Sequence, residues 1–180
     1  MNPFRRFIAP SLSIFSAGLM SVSAPLWIFD SPFNTAPLKI SVPTPTAPPL
    51  SYTDLIAPTA NRVGVNVALV KSIVKAESAF NPDAVSCKGA LGLMQVMPET
   101  AKEMGLDAAK PVENLEAGTR YLKWLLERYS KTKNGLPKAI AAYNAGPGAV
   151  DKHHGIPKFR ETQTYVARVL KYFKAFSSAS

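Results

Sequence analysis

The sequence predicts an all-α domain that begins near residue 50. After that point, apolar residues recur at three- and four-residue spacings, as they do on the buried face of a helix. No part of this region alternates apolar and polar residues with a period of two over a useful length, so a large sheet is not expected. Capping residues and prolines indicate where the helices begin and end.

The first two helices follow from local capping signals. Ser51-Tyr52-Thr53-Asp54 resembles a capping box, and the apolar stripe that follows it ends near Gly64. Asn66 can cap a second helix, which is predicted to run from residue 67 to about residue 80. Asn81-Pro82 then terminates this second helix, because a residue before proline disfavours the helical conformation.

The later helices have equally local signals. Pro98 suits the first position of a short helix that closes at Gly105. Three more helices are predicted at residues 113–130, 137–144 and 161–176. The predicted buried side of the first of these three is Leu115, Leu122, Leu125, Leu126 and Tyr129, and that of the last is Tyr165, Val166, Val169, Leu170 and Phe173.

Two glycine-rich loops, at residues 83–95 and 145–160, are predicted between these helices. Loops that a helical scaffold holds in place are where substrate contacts usually lie. These loops are therefore the first places to look for binding residues.

The N-terminus has the layout of a secretory signal. Arg5-Arg6 precede a stretch without charges from residue 7 to residue 29, so residues 1–30 are predicted to direct export to the periplasm. An uncleaved anchor is the alternative, because the stretch is about long enough to span a bilayer, and it would give membrane association through the N-terminus. Pro10 and several serines favour a cleaved signal.

A proline-rich tether follows this segment. The chain has 16 prolines, and many of them lie before residue 58. Proline removes backbone donors and favours extended neighbours, so residues 31–49 are interpreted as a semi-extended linker. The folded domain is predicted to cover residues 50–176.

The formal charge of +9 favours an anionic partner. Nucleic acid is not expected, because the basic residues are dispersed and do not alternate with aromatic residues in a known binding motif. The anionic cell wall explains the charge equally well once export is granted, and a solvated basic face without a specific ligand remains the alternative. The single cysteine, Cys87, cannot form an intramolecular disulfide.

Glu77 is the leading candidate for a catalytic residue. Its spacing from Ile73 and Val74 places its carboxyl on the apolar stripe of the second predicted helix, close to the C-terminal end. Desolvation and the partial negative charge of the helix end would both raise the pKa of Glu77. A buried glutamate paired with Lys71 or Arg120 is equally favoured by helix position alone.

No second carboxylate is evident as a partner of Glu77. Most glycosidases use two carboxyl groups, one as acid and one as nucleophile or base. The other acidic residues are interpreted as surface or cap residues in the first turns of helices, where the helix dipole favours a negative charge. They include Glu99, Glu113, Glu116 and Glu161.

Four short blocks together resemble one enzyme family. They are Ala76-Glu77-Ser78, residues 89–95, residues 142–148, and Glu161-Thr162 with Tyr165. In their order and approximate spacing they resemble the SLT-type (family 1) lytic transglycosylases, which are relatives of goose-type lysozyme, over roughly residues 50–175. The resemblance implies a lysozyme-like helical domain with a substrate cleft, which cuts the glycan strands of peptidoglycan.

The resemblance also implies a mechanism with one carboxyl group. Glu77 would act first as acid and then as base on the β-1,4 bond between N-acetylmuramate and N-acetylglucosamine. The 2-acetamido group would stabilise the anomeric carbon, and the 6-hydroxyl of the same sugar would attack it to give a 1,6-anhydromuramoyl end. No cofactor is implied, and the adjacent His153-His154 does not suit a metal site without further ligands.

Matching positions imply a set of substrate-binding residues. The amide of Gln95 can both donate to and accept from a sugar, and Tyr143 is expected to hydrogen-bond Glu77. Met97 is expected on the saccharide, although a core position suits it equally on chemistry alone. The full set is Ser86, Gln95, Met97, Tyr143, Asn144 and Tyr165.

Two other functions are alternatives to lytic transglycosylation. A hydrolytic muramidase on the same fold would use water in place of the 6-hydroxyl. An inactive wall-binding module, which localises a secretion, conjugation or pilus apparatus, would lack the acid, and the presence of Glu77 disfavours it. Peptidoglycan strands are the expected partner under each of these hypotheses.

Overall fold

A computed structural model of the protein describes residues 51–179. These residues form one 3-10 turn and seven α-helices. They are the turn Tyr52–Leu55, α1 Ile56–Val63, α2 Val67–Ser78, α3 Pro98–Glu103, α4 Pro111–Tyr129, α5 Gly135–Ala145, α6 Pro147–Lys152 and α7 Arg160–Ser177. Isolated bridges from Leu91 to Val85 and to Val96 are the β pairings in this range. The all-α prediction is confirmed for the described residues.

The described residues do not include residues 1–50. The predicted signal or anchor (residues 1–30) and the predicted linker (residues 31–49) therefore lie outside them. Within residues 51–179, no helix is both long and apolar enough to cross a bilayer.

The predicted caps at the start of the domain are confirmed. The Asp54 carboxylate accepts a hydrogen bond from the Ser51 amide at 3.1 Å, which completes the capping box. Asn66 caps α2, because its side-chain oxygen accepts from the amide of Leu69 at 3.2 Å. Local side-chain chemistry therefore fixes where the first elements begin.

Helix α2 ends two residues before its predicted end at residue 80. Ala79 and Phe80 have φ angles of 52° and 70°, so the chain leaves the helix at Ser78 in a left-handed conformation. This early end places Glu77 in the last turn of α2, where the chain turns into the 83–95 loop.

A sixth helix, α6, replaces part of the loop that was predicted at residues 145–160. Gly146, with φ 82° and ψ 148°, ends α5, and Pro147 occupies the first position of α6. Proline suits this position because its fixed φ is helical and its missing amide hydrogen has no intrahelical acceptor there. The prediction of a continuous loop was therefore wrong.

The core lies between α2 and α7 on one side and α4 and α5 on the other. Three tyrosines, Tyr121, Tyr143 and Tyr165, are among its largest fully buried side chains. The predicted apolar faces of α4 and α7 are confirmed except at their edges. Half-buried positions on those faces are Leu126, Leu170 and Phe173.

Glu116 was wrongly interpreted as a surface residue. It is 7% exposed, and its carboxylate forms ion pairs with Arg62 of α1 and with Arg120 of α4, the latter at 2.6 Å. Arg120 therefore has Glu116 as its ion-pair partner. No ion pair between residues 51–179 joins Glu77 to Arg120 or to Lys71, so the paired-glutamate interpretation of Glu77 is not supported.

Candidate active site

Glu77 lies in the core, at the end of α2, and is 5% exposed. Its neighbours on the stripe, Ile73 and Val74, are fully buried. Burial raises the pKa of Glu77 from 4.5 to about 7, against smaller lowering effects from a hydrogen bond of Tyr165 and the charge of Arg168. A carboxyl group with this pKa holds a proton near neutral pH and can still release it.

Tyr165 of α7 contacts Glu77 directly. Its hydroxyl donates a hydrogen bond of 2.6 Å to Oε1 of Glu77, and both groups are buried. Burial, together with the charge of Glu77, raises the pKa of Tyr165 well above its ordinary value, so the hydroxyl stays a donor. The bond spans 88 positions of sequence and depends on the packing of α2 against α7.

The hydroxyl of Tyr143 has a different hydrogen-bond partner from the one predicted. Its hydroxyl donates to the carbonyl of Met94 at 3.0 Å, so its single proton is directed at the 83–95 loop and not at Glu77. Tyr143 still lies within electrostatic range, because the charge of Glu77 contributes to the raised pKa of Tyr143. The expectation that Tyr143 donates to Glu77 is corrected in favour of Tyr165.

Asn144 joins α5 to α7. Its Oδ1 accepts a hydrogen bond from Oγ1 of Thr162 at 2.8 Å, and both side chains are buried. Asn144 and Tyr143 are neighbours near the end of α5, and Thr162 lies one turn before Tyr165 on α7. The 142–144 and 161–165 blocks are thus brought together beside Glu77.

Ser86 and Gln95 shape the loop. Oγ of Ser86 accepts from the amide of Ala90 at 2.9 Å. Nε2 of Gln95 donates to the carbonyls of Ala84 and Gly92, both at 3.0 Å. Both amide protons of Gln95 are used within the loop in this structure, and the contact of this side chain with a sugar stays a prediction.

Two further side chains fasten the loop to the helices. Ser78, the last residue of α2, donates to the carbonyl of Leu93 at 2.9 Å. Asn114 of α4, which is fully buried, was not predicted to have a role. Its Oδ1 accepts from the amide of Met94 at 2.9 Å, and its Nδ2 donates to the carbonyls of Leu91 at 2.6 Å and Ala108 at 2.9 Å.

A sequence signal for Asn114 existed. Asparagine is disfavoured inside helices because its side chain competes for backbone hydrogen bonds, and Asn114 lies within α4. In the loop, Gly92 lies against the side chain of Asn114. It has φ 72°, and an added Cβ would lie 2.8 Å from Nδ2 of Asn114, so glycine is required there for two reasons.

Asn114→Ala is expected to lower the free energy of unfolding by about 2 kcal/mol, because it leaves one buried amide and two carbonyls without this partner. Urea denaturation measures the change. Asn61→Ala is the matched control, since Asn61 is an exposed helical asparagine in α1, and its change should stay below about 0.5 kcal/mol. Equal losses in the two variants would contradict the anchoring role.

The remaining predicted positions lie at the edge of this arrangement. Met97 is half-buried at the N-cap of α3, and its contact with the saccharide stays a prediction. Cys87, His153 and His154 are exposed. Across residues 51–179, no group of three potential ligands is arranged to hold a metal ion.

Two surface cavities lie away from Glu77. One, of about 350 Å³, lies beside the ion pairs of Glu116, and the other, of about 390 Å³, lies between Tyr129 and His154. Neither is lined by Glu77, and both are open to solvent. The candidate site is therefore defined by the chemistry around Glu77 and not by cavity size.

The chain is similar to known proteins over most of the described residues. The family model described as "Transglycosylase SLT domain" matches residues 54–166. Membrane-bound lytic murein transglycosylase C of Actinobacillus pleuropneumoniae serotype 5b (strain L20) is 37% identical over 132 residues, which are 61% of this chain and 36% of that protein.

Two solved structures are also similar. One is an inactive mutant of lytic transglycosylase Slt from Pseudomonas aeruginosa in which a glutamate is replaced by glutamine, with TM-score 0.63, 30% identity and coverage of 73% of this chain and 24% of that one. The other is the 70-kDa soluble lytic transglycosylase of Escherichia coli, with TM-score 0.60, 30% identity and coverage of 72% and 24%. They confirm the predicted lysozyme-like helical fold. This chain spans about a third of the curated relative and a quarter of the solved ones.

Proposed function

Because this chain belongs to the transglycosylase SLT domain family, we propose that it is a peptidoglycan lytic transglycosylase whose general acid is Glu77. The observation that carries the proposal is the buried carboxyl of Glu77, whose pKa of about 7 suits both proton donation and proton uptake. The names of its relatives support peptidoglycan as the substrate. The inactive glutamate-to-glutamine mutant of the Pseudomonas aeruginosa relative supports a catalytic glutamate.

In the first step, the protonated Glu77 donates its proton to the oxygen that links N-acetylmuramate to N-acetylglucosamine. The bond from the anomeric carbon to this oxygen breaks, and N-acetylglucosamine leaves with a 4-hydroxyl group. Glu77 is left as a carboxylate, and the hydrogen bond from Tyr165 stabilises that charge. The 2-acetamido group of the muramoyl residue stabilises the positive anomeric carbon.

In the second step, the 6-hydroxyl of the muramoyl residue attacks its own anomeric carbon. The Glu77 carboxylate accepts the proton of that hydroxyl, which restores the protonated acid and closes the 1,6-anhydro ring. No water is consumed, and no second carboxylate is required. Among residues 51–179, the carboxylate whose charge reaches Glu77 is Glu161, which is exposed in the first turn of α7.

A hydrolytic muramidase is the second candidate. The observation that favours it is the exposed carboxylate of Glu161, whose charge reaches Glu77. An exposed carboxylate near the acid could activate water for attack on the anomeric carbon, as in inverting glycosidases. The two reactions differ in the source of the oxygen on the new muramoyl end.

Digestion of purified sacculi in ¹⁸O-labelled water distinguishes these reactions. The proposed reaction predicts muramoyl ends without label, because the 6-hydroxyl attacks within the molecule. Mass spectrometry of the released muropeptides measures the label, and a hydrolytic lysozyme in the same water serves as the positive control. Label in the main product would replace the proposed reaction with hydrolysis and would leave the fold and the acid unchanged.

We place the enzyme in the cell envelope. The relative from Actinobacillus pleuropneumoniae is named as membrane-bound, which supports this location, and the basic charge of +9 suits an anionic wall without requiring nucleic acid. The division into residues 1–30, 31–49 and 50–176 is part of this proposal, and the family match to residues 54–166 supports its last segment. A periplasmic site and a link to secretion, conjugation or pilus machinery stay predictions.

A further inference from the structure

Arg168 is a charged residue near Glu77 that none of the four motif blocks includes. It lies on α7, three positions after Tyr165, and its guanidinium carbon is 5.7 Å from the centroid of the Tyr165 ring. The side chain is half-buried, and its Nε is fully buried without a hydrogen-bond partner among residues 51–179. Such burial of a charged group is costly and requires an explanation.

The position of Arg168 on its helix connects it to the acid. Glu161, Tyr165 and Arg168 are spaced by four and three residues, which places them on one face of α7. Tyr165 on that face holds Glu77 through the 2.6 Å hydrogen bond. The guanidinium over the ring of Tyr165 therefore lies one side chain away from the reacting carboxyl.

We propose that Arg168 is a positioning residue that holds Tyr165 against Glu77 and stabilises the Glu77 carboxylate after its proton has been donated. The inference rests on the proposed function, because it concerns the same acid. Desolvation alone disfavours the carboxylate. Without a nearby cation, the pKa of a buried carboxyl group would therefore be higher, and the group would release its proton less readily. A fixed positive charge behind Tyr165 reduces this penalty without contacting the substrate.

The other charged and titratable groups around Glu77 determine the net effect. From α7, Arg168 and the hydroxyl of Tyr165 favour the carboxylate, whereas Glu161 disfavours it. From α5, the hydroxyl of Tyr143 lies within electrostatic range. On α2 itself, Lys75 is directed over the ring of Phe80, at 5.6 Å from its centroid. Arg168 is therefore the cation that acts on Glu77 among the described residues.

The test is a ¹³C NMR titration of the Glu77 side-chain carboxyl in the full chain, with the signal assigned by its loss in Glu77→Gln. Arg168→Met keeps the apolar stem and removes the charge, and it should move the titration midpoint of Glu77 to higher pH. Arg168→Lys keeps a charge and should produce a smaller shift. Lys174→Gln removes an exposed charge from the last turn of the same helix and should leave the midpoint unchanged.

An unchanged midpoint in Arg168→Met would overturn the proposal, as would an equal shift in Lys174→Gln. Circular dichroism checks that each variant is folded. If Arg168→Met does not fold, the comparison of Arg168→Gln with Arg168→Lys replaces it, and equal midpoints in these two variants would likewise overturn the proposal.

Activity separates this inference from the proposed function. The ratio of rates at pH 8 and pH 6 should rise about threefold in Arg168→Met, because more of the acid stays protonated at the higher pH. If the NMR midpoint moves and this ratio does not, the coupling of Arg168 to Glu77 is supported and Glu77 is not the acid that controls the rate.

Discussion

Glu77→Gln is expected to lower the release of muropeptides from purified sacculi by at least about 100-fold, because general acid catalysis contributes about 10²- to 10⁴-fold. The amide is nearly isosteric with the carboxyl and cannot give up a proton to the glycosidic oxygen. Its side-chain oxygen can still accept the hydrogen bond from Tyr165, so the contact between α2 and α7 should persist. Activity and circular dichroism are measured on the same preparation.

Glu103→Gln is the matched control for this variant. Glu103 is exposed at the end of α3 and should retain the wild-type rate after the same chemical change. Retention of more than about one hundredth of the rate in Glu77→Gln would remove Glu77 as the general acid. A loss of activity accompanied by unfolding would contradict the expected intact fold.

The second large effect concerns stability. Burial raises the pKa of Glu77 from 4.5 to about 7, so between these two pH values the folded protein binds a proton that the unfolded chain has released. The stability that this proton contributes is fully present below about pH 4.5 and is lost as the pH rises through about 7. Glutamine has no such dependence.

The free energy of unfolding of Glu77→Gln, relative to wild type, should therefore be about 3 kcal/mol higher at pH 8 than at pH 4. Urea denaturation of both proteins at the two pH values gives the difference, in which the titration of all other groups cancels. If this difference does not depend on pH, then Glu77 titrates as an ordinary exposed carboxyl and its environment has been misassigned.

These two expectations have one physical origin. An acid that is protonated near neutral pH must be desolvated, and a desolvated carboxylate destabilises the fold at higher pH. Replacement of Glu77 is therefore expected to stabilise the protein more at high pH than at low pH, although it would remove the proposed acid.

Most of the helices could be predicted from the sequence because their signals are local. The Ser51 capping box, the Asn66 cap and Pro98 at a first helical position each act within one turn of chain. The errors occurred where two local signals compete. Gly146-Pro147 marks both a break and a new start, and a glycine-rich composition hid the short helix α6 that follows.

The burial of Glu77 was also predictable. Its three- and four-residue spacing from Val74 and Ile73 places it on the apolar stripe, whatever that stripe packs against. The direction of its pKa shift follows from that position alone. The four motif blocks likewise indicated which parts of the chain would meet.

The sequence by itself determined most of the helices, the position of Glu77 on a buried face and the family. Only the tertiary structure decided that Tyr165, and not Tyr143, donates to Glu77, and that Asn114 holds the loop. Each of these contacts joins residues from different elements, at separations of 88, 49 and 20 positions. Periodicity fixes which face a side chain occupies, whereas the partner across that face depends on how two helices pack, and no local pattern encodes that packing.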